Sequence, residues 1–96
     1  EENLVSLALT DALTGLKNRL AFKQDFAEYM NDGSPFGLMM IDIDHFKKVN
    51  DTYGHDVGDD LLHQLTQRIT QSFPDADAYR QGGKSFVSCI VVIKLA

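Results

Sequence analysis

The sequence predicts an α/β (α+β) layered fold, with helices packed on a sheet that is incomplete at its C-terminal end. Three observations lead there. Two stretches, from about Arg19 to Asn31 and from about Asp59 to Phe73, repeat apolar residues every three or four positions. Two apolar runs, Phe36 to Ile41 and Phe86 to Leu95, have the length and content of buried strands. Breaker clusters such as Asn31-Asp32-Gly33-Ser34-Pro35 divide one kind from the other.

The elements follow in order. Residues 1–10 carry Leu4, Leu7 and Leu9 between polar positions, the pattern of a short incoming helix or linker. Asp11 and Thr14 suit a turn, in which Gly15 takes a positive φ. Asn18 is placed to cap the first long helix. On that helix Phe22, Phe26, Tyr29 and Met30 form one apolar face. The first strand ends at Asp42-Ile43-Asp44, and His45 to Asn50 forms a helical turn or two. Tyr53 to Asp59 reads as a loop punctuated by Gly54 and Gly58. The second long helix then starts near Asp59 or Asp60, whose carboxylates complement the helix dipole, and Pro74 stops it. On it Leu61, Leu65, Ile69 and Phe73 repeat at four, beside Leu62. A short strand at Asp77–Arg80, a hairpin-like turn at Gln81-Gly82-Gly83-Lys84 and a last strand complete the order.

Bulk properties narrow the function classes. At 96 residues the chain has room for one small domain, 1–96, of modest stability. A composition of 44% hydrophobic and 24% charged residues excludes a disordered or fibrous protein. A net charge of −5 makes the chain a poor non-specific partner for nucleic acid or anionic membranes. The longest apolar run, Cys89 to Ile93, falls far short of the ~20 residues of a membrane span. No basic region of a signal peptide precedes it, so a soluble, cytoplasmic chain without membrane insertion is expected. The single cysteine, Cys89, forms no internal disulfide and reads as a small buried hydrophobe. A start at Glu1 points to a piece of a longer protein.

Chemistry is expected at the end of the first strand and at the hairpin. Asp42 and Asp44, two apart on an extended chain, point to one side and offer oxygen ligands to a hard cation such as magnesium. The Ile43 carbonyl adds another oxygen, and His45-Phe46-Lys47 adds backbone amides and a cation that suit a phosphate. From spacing alone the two carboxylates are equally a helix cap or a solvated acidic loop, and both readings stand at this point. An EF-hand is excluded, since Phe46 and Lys47 stand where a third ligand and a glycine are needed. His45, His55 and His63 lack zinc-like spacing and cysteine partners. Gly82-Gly83 alone is a hairpin turn.

Three motifs in order carry a family resemblance. Asp11-x-Leu13-Thr14-Gly15-Leu16-x-Asn18-Arg19 is similar to the opening motif of GGDEF domains, the diguanylate-cyclase family. The run from Asp42 through Asn50 and Gly54-His55 to Gly58-Asp59 and Leu61 resembles the family's central motif. Arg80-x-Gly82-Gly83-x-x-Phe86 sits where the signature belongs. The resemblance covers about residues 4–93. It implies a palm-like, ferredoxin-type antiparallel sheet of the nucleotidyl-cyclase kind, with helices on one or both faces. It also implies condensation of two GTP molecules into cyclic di-GMP and pyrophosphate between two subunits, with magnesium as cofactor. Carried over by position, Asp42 and Ile43 become metal ligands, through carboxylate and carbonyl. His45 and Phe46 offer amides to phosphate, Lys47 a charge, and Asn50 and Asp59 bonds to the guanine edge. Gly82 and Gly83 allow close approach of the hairpin to the nucleotide.

The chain departs from that pattern. Lys84 and Ser85 occupy the third and fourth signature positions, where the family carries acidic residues, so no catalytic residue is expected. A like-charge pair ~4 Å apart at an effective dielectric near 20 costs ~4 kcal/mol before solvent screening, so Lys84 opposes magnesium or replaces it. The chain also stops before the family's further helices and strands, which predicts an unpaired central strand open to a partner. Phe73-Pro74-Asp75-Ala76-Asp77 lacks the arginine of the family's product-binding motif. The resemblance with these departures implies a degenerate, inactive domain of cyclic di-GMP signalling. Its role would be regulatory or dimerising, with a homodimer or a partner signalling domain. The alternative is a GTP-binding or residually active diguanylate cyclase.

Overall fold

The computed structural model describes residues 8–82 and 87–95. In chain order they form α1 (Arg19–Asp32), β1 (Phe36–Ile43), α2 (Phe46–Tyr53), α3 (His55–Ser72), β2 (Asp77–Gln81) and β3 (Val87–Lys94). The three strands make one antiparallel sheet in the order β1-β3-β2. Mixed helix and antiparallel sheet is the expected class.

Alternation along β3 sorts the core into two halves. Val87, Cys89 and Val91 pack with Phe46, Leu62, Ile69 and Leu16, so α2 and α3 cover that face. Ile90 and Val92 pack with Tyr79 and Ala21, with Phe22, Tyr29 and Phe36 against them, so α1 covers the other. Aromatic contacts seal the second half: Phe22 meets Tyr79 edge-on at 5.2 Å, and Tyr29 lies 5.4 Å from Phe36. Cys89 is buried, as its apolar surroundings imply.

Local signals act where expected. The Asn18 side chain accepts a hydrogen bond from the Ala21 amide and caps α1. Gly15 has φ +77°, and the Asp11 carboxylate accepts bonds from both the amide and the hydroxyl of Thr14. Met30, in contrast, does not join the apolar face of α1 and is 61% exposed. At 100° per residue the covered arc runs from Ala21 through Asp25, Tyr29 and Phe22 to Phe26, and Met30 falls beyond Phe26.

Two boundaries differ from the sequence reading. α3 begins at His55, four residues before Asp59, and α2 extends to Tyr53. A single residue, Gly54 at φ +95°, ends one helix and opens the next. Glycine therefore breaks the chain once here, not twice, and Gly58 lies buried inside α3. Asp59 and Asp60 are past the first turn, whose acidic residue is Asp56. The middle strand of the described sheet, β3, is paired on both sides. The outer side of β2 is met by Lys17, through bonds from its amide to Ala78 and to its carbonyl from Arg80. Among the described residues it is β1 that has an open edge, next to exposed Leu38 and Met40. The suggested helix or linker over 1–10 is described only from Ala8, with Ala8 and Leu9 helical. No helix among the described residues is long and apolar enough to cross a membrane.

Candidate functional site

The register of the sheet builds one end of the molecule. Asp42 and Ile43 are the last two residues of β1 and stand opposite Ser88 and Val87 of β3. Gln81 of β2 pairs with the same Ser88. The end of β1 therefore lies beside the stem of the hairpin, which opens at exposed Gly82 with φ +91°. Gly83, Lys84, Ser85 and Phe86 lie outside the described residues.

After β1 the chain turns through Asp44 and His45 into α2. His45 adopts the left-handed conformation, φ 59° and ψ 33°, and is the one non-glycine residue described with positive φ. Such a residue costs of order 1–3 kcal/mol and persists where its surroundings over-determine it. Here Phe46 provides the constraint: it is 3% exposed and anchors the first turn of α2 in the core. The Phe46 side chain is thus structural, leaving its backbone amide for the expected phosphate role. Lys47 is exposed on the same turn.

One turn further on, Asn50 is buried, and α3 doubles back beside it at Gly54. The two helices enclose a cleft of about 80 Å³ lined by Phe46, Asn50, His55, Asp59 and Leu62, with Leu13 and Arg80 as the facing wall. That volume is well below the ~300 Å³ of a typical whole-ligand pocket, so the cleft accepts the edge of a ligand. Asn50 Oδ1 is buried and has no hydrogen-bond partner among the described residues. A buried acceptor left unpaired costs about 1–3 kcal/mol, which a donor from a ligand recovers. Asn50 and Asp59, nine positions apart, are thereby brought together. Asp42, Ile43, His45, Lys47 and Gly82 are at the neighbouring strand end and do not line this cleft.

The facing wall is tied down by residues to which sequence reasoning assigned no site role. Arg80 Nη1 donates to both Asp11 carboxylate oxygens, at 3.1 and 3.2 Å. Burial pushes the Asp11 carboxyl up, but the Thr14 bonds and the Arg80 guanidinium outweigh it and hold it below the usual carboxylate range. His63 Nε2 donates to the Leu13 carbonyl at 2.9 Å, joining α3 to the turn. The signal for Leu62 was its place three residues after Asp59, on the same side of one helix. The signal for Arg80 was its place two residues before Gly82.

Magnesium takes oxygen ligands and near-octahedral geometry, usually one or two carboxylates with water and phosphate. Asp42 and Asp44 are exposed at the strand end and supply oxygen of that kind. Among the described residues, no group of three or more His, Cys, Asp or Glu converges on a point. Asp42, Asp44 and the Ile43 carbonyl would hold an ion that keeps most of its waters; Lys84 and Ser85 lie outside the described residues.

Comparison with known proteins agrees with this geometry. The family model described as "Diguanylate cyclase, GGDEF domain" matches residues 8–95. The chain is 44% identical over 80 residues to diguanylate cyclase VdcA of Vibrio cholerae, spanning 82% of this chain and 24% of that protein. It is 40% identical over 79 residues to cyclic di-GMP phosphodiesterase NbdA of Pseudomonas aeruginosa, spanning 78% of this chain and 10% of that protein. Among solved structures, the coiled coil and GGDEF domain of DgcB from Caulobacter crescentus, in complex with c-di-GMP, superposes with a TM-score of 0.78 at 37% identity. That match covers 99% of this chain and 52% of the other. The chain thus spans a quarter or less of these curated relatives. With three motifs, the sheet and the cleft all in register, the chain belongs to the GGDEF domain family.

Proposed function

We propose that this chain is a degenerate diguanylate-cyclase-like domain that keeps a guanine-nucleotide cleft and acts in cyclic di-GMP signalling as a regulatory module without cyclase activity. The observation that carries the reading is the cleft itself: buried Asn50, with an unpartnered Oδ1, beside half-buried Asp59. Guanine presents two adjacent donors, N1–H and the 2-amino group, to a carboxylate and an amide oxygen. Adenine presents an acceptor at N1 in the same place, and a carboxylate rejects it. The left-handed turn at His45, the amides of His45 and Phe46, and Lys47 form the phosphate side. Asp42 and Ile43 occupy the family's metal positions, and Gly82 and Gly83 let the hairpin come close.

The inactive reading rests on Lys84 and Ser85. A positive charge in place of a carboxylate removes one ligand and repels the cation that would polarise the phosphates. The ammonium instead offsets phosphate charge directly. A match of the same stretch within a protein named a phosphodiesterase supports a role other than synthesis.

Calorimetric titration of the chain with GTP, with and without magnesium, tests the reading alongside a product assay. Binding that does not depend on magnesium, with no cyclic di-GMP formed, is expected. Magnesium-dependent product formation would overturn the inactive reading, and absence of any GTP binding would overturn the cleft. A second role, dimerisation, is favoured by the exposed apolar side chains of Leu38 and Met40 on β1. Sedimentation equilibrium of the wild type and of Met40→Lys decides it.

A further inference from the structure

Gly58 is out of place by every local criterion. It lies inside α3, where glycine is the poorest helix former after proline. Its backbone does not need glycine, since among the described residues the glycines with positive φ are Gly15, Gly33, Gly54 and Gly82. The explanation lies across the helix pair. A Cβ built on Gly58 would stand 1.8 Å from Asn50 Oδ1 and 2.9 Å from Asn50 Cγ. The next neighbour, Phe46 Cζ at 3.3 Å, would have to give by only a few tenths of an ångström. The space a side chain at 58 would fill is therefore held by the Asn50 amide.

Among the described residues no hydrogen bond fixes Asn50 Oδ1. The amide fills the space over the bare Cα of Gly58, inside a close-packed helix pair. The following residue, Asp59, lines the same cleft. On one turn of α3, Gly58 thus makes room for the amide and Asp59 supplies the carboxylate.

We propose that Gly58 is a positioning residue for base recognition: it seats the Asn50 side chain, and any larger residue at 58 turns that amide away and weakens the preference for guanine over adenine. This inference rests on the reading of the cleft as a guanine site. It goes beyond it by assigning selectivity to a residue that touches no ligand.

The test is Gly58→Ala, compared with Asn50→Ala and the double variant. Alanine is the better helix former, so Gly58→Ala keeps the helical circular dichroism of the wild type. GTP affinity is expected to fall about tenfold, the worth of one ligand hydrogen bond, with ATP affinity unchanged. On the Asn50→Ala background the same change should cost nothing further. An equal loss on both backgrounds would sink the proposal, because the effect would not then run through Asn50. The Asn50 side-chain amide resonance, observed by nitrogen-15 NMR without nucleotide, supplies an independent readout. It should move in Gly58→Ala, and an unmoved resonance would show that Gly58 does not seat the amide. A wild-type chain that binds GTP and ATP equally would overturn the selectivity claim together with the guanine reading. The resonance then still separates failure of the site from failure of the seating. Should Gly58→Ala not fold, the double variant, which lacks the clashing amide, should fold and bind GTP as Asn50→Ala does; a double variant that also fails to fold would show that Gly58 acts on something other than Asn50.

Discussion

Replacing Asp11 by alanine removes the carboxylate on which the wall of the cleft is built. That carboxylate accepts from the Thr14 amide at 2.9 Å, from the Thr14 hydroxyl at 2.7 Å, and from Arg80 Nη1 at 3.1 and 3.2 Å. Hydrogen bonds to charged groups are worth about 1.5–3 kcal/mol each, and breaking a fully buried ion pair costs about 3–5 kcal/mol. The Asp11 and Arg80 side chains are 21% and 12% exposed, so water recovers part of this. A loss of roughly 2–4 kcal/mol is expected, a large share of the 5–15 kcal/mol of a domain this size. At about 4–8 °C per kcal/mol for such a domain, Tm falls by roughly 8–30 °C. Urea and thermal unfolding followed by circular dichroism measure it. A double-mutant cycle with Arg80→Met isolates the ion pair from the Thr14 bonds. The folded carboxyl lies below its ordinary value, so its stabilisation is present above about pH 4 and is lost as pH falls through the folded value. Asp11→Asn should lack this acid-side loss. A decrease under about 0.5 kcal/mol, or an acid profile unchanged in Asp11→Asn, would refute the reasoning.

Asn18→Ala should cost about 1 kcal/mol by removing the cap of α1, read from the urea midpoint. Tyr79→Phe deletes a fully buried hydroxyl that donates to Asp25 at 2.7 Å and lies 3.1 Å from the Tyr29 hydroxyl, and should cost about 1–3 kcal/mol. Tyr29, pushed up to about 12 by burial and its bond to Asp77, should ionise later than an ordinary phenol in the folded wild type, read as the ultraviolet difference between the alkaline titrations of wild type and Tyr29→Phe. Cys89, 1% exposed and with its thiol pushed up by burial, should react with a thiol reagent only as fast as the chain unfolds. Reaction at the rate of a free thiol would contradict the packing of β3.

Signals that act within a few residues were legible. The Asn18 cap, the Asp11–Thr14–Gly15 turn, the two strand runs and the burial of Cys89 depend on side chains close in sequence or on hydrophobicity alone. The start of α3 was not legible, because glycine serves equally for a left-handed turn and for close approach. Gly54 does the first and Gly58 the second, and only the neighbour across the helix pair tells them apart. Met30 lies at an apolar spacing yet outside the buried arc, since the position of the sheet, not the helix, decides which residues are covered.

By itself the sequence determined the family, through three ordered motifs, and the replacement of the acidic signature pair by Lys84 and Ser85, because both are matters of residue identity. Strand order and the pairing of β3 on both sides belong to the tertiary structure. So does the meeting of Asn50, Asp59 and Arg80 around one cleft. The physical reason is that these features are contacts between elements. A hydrogen-bond register and an interhelical distance of one missing Cβ are set only when the layers close on one another.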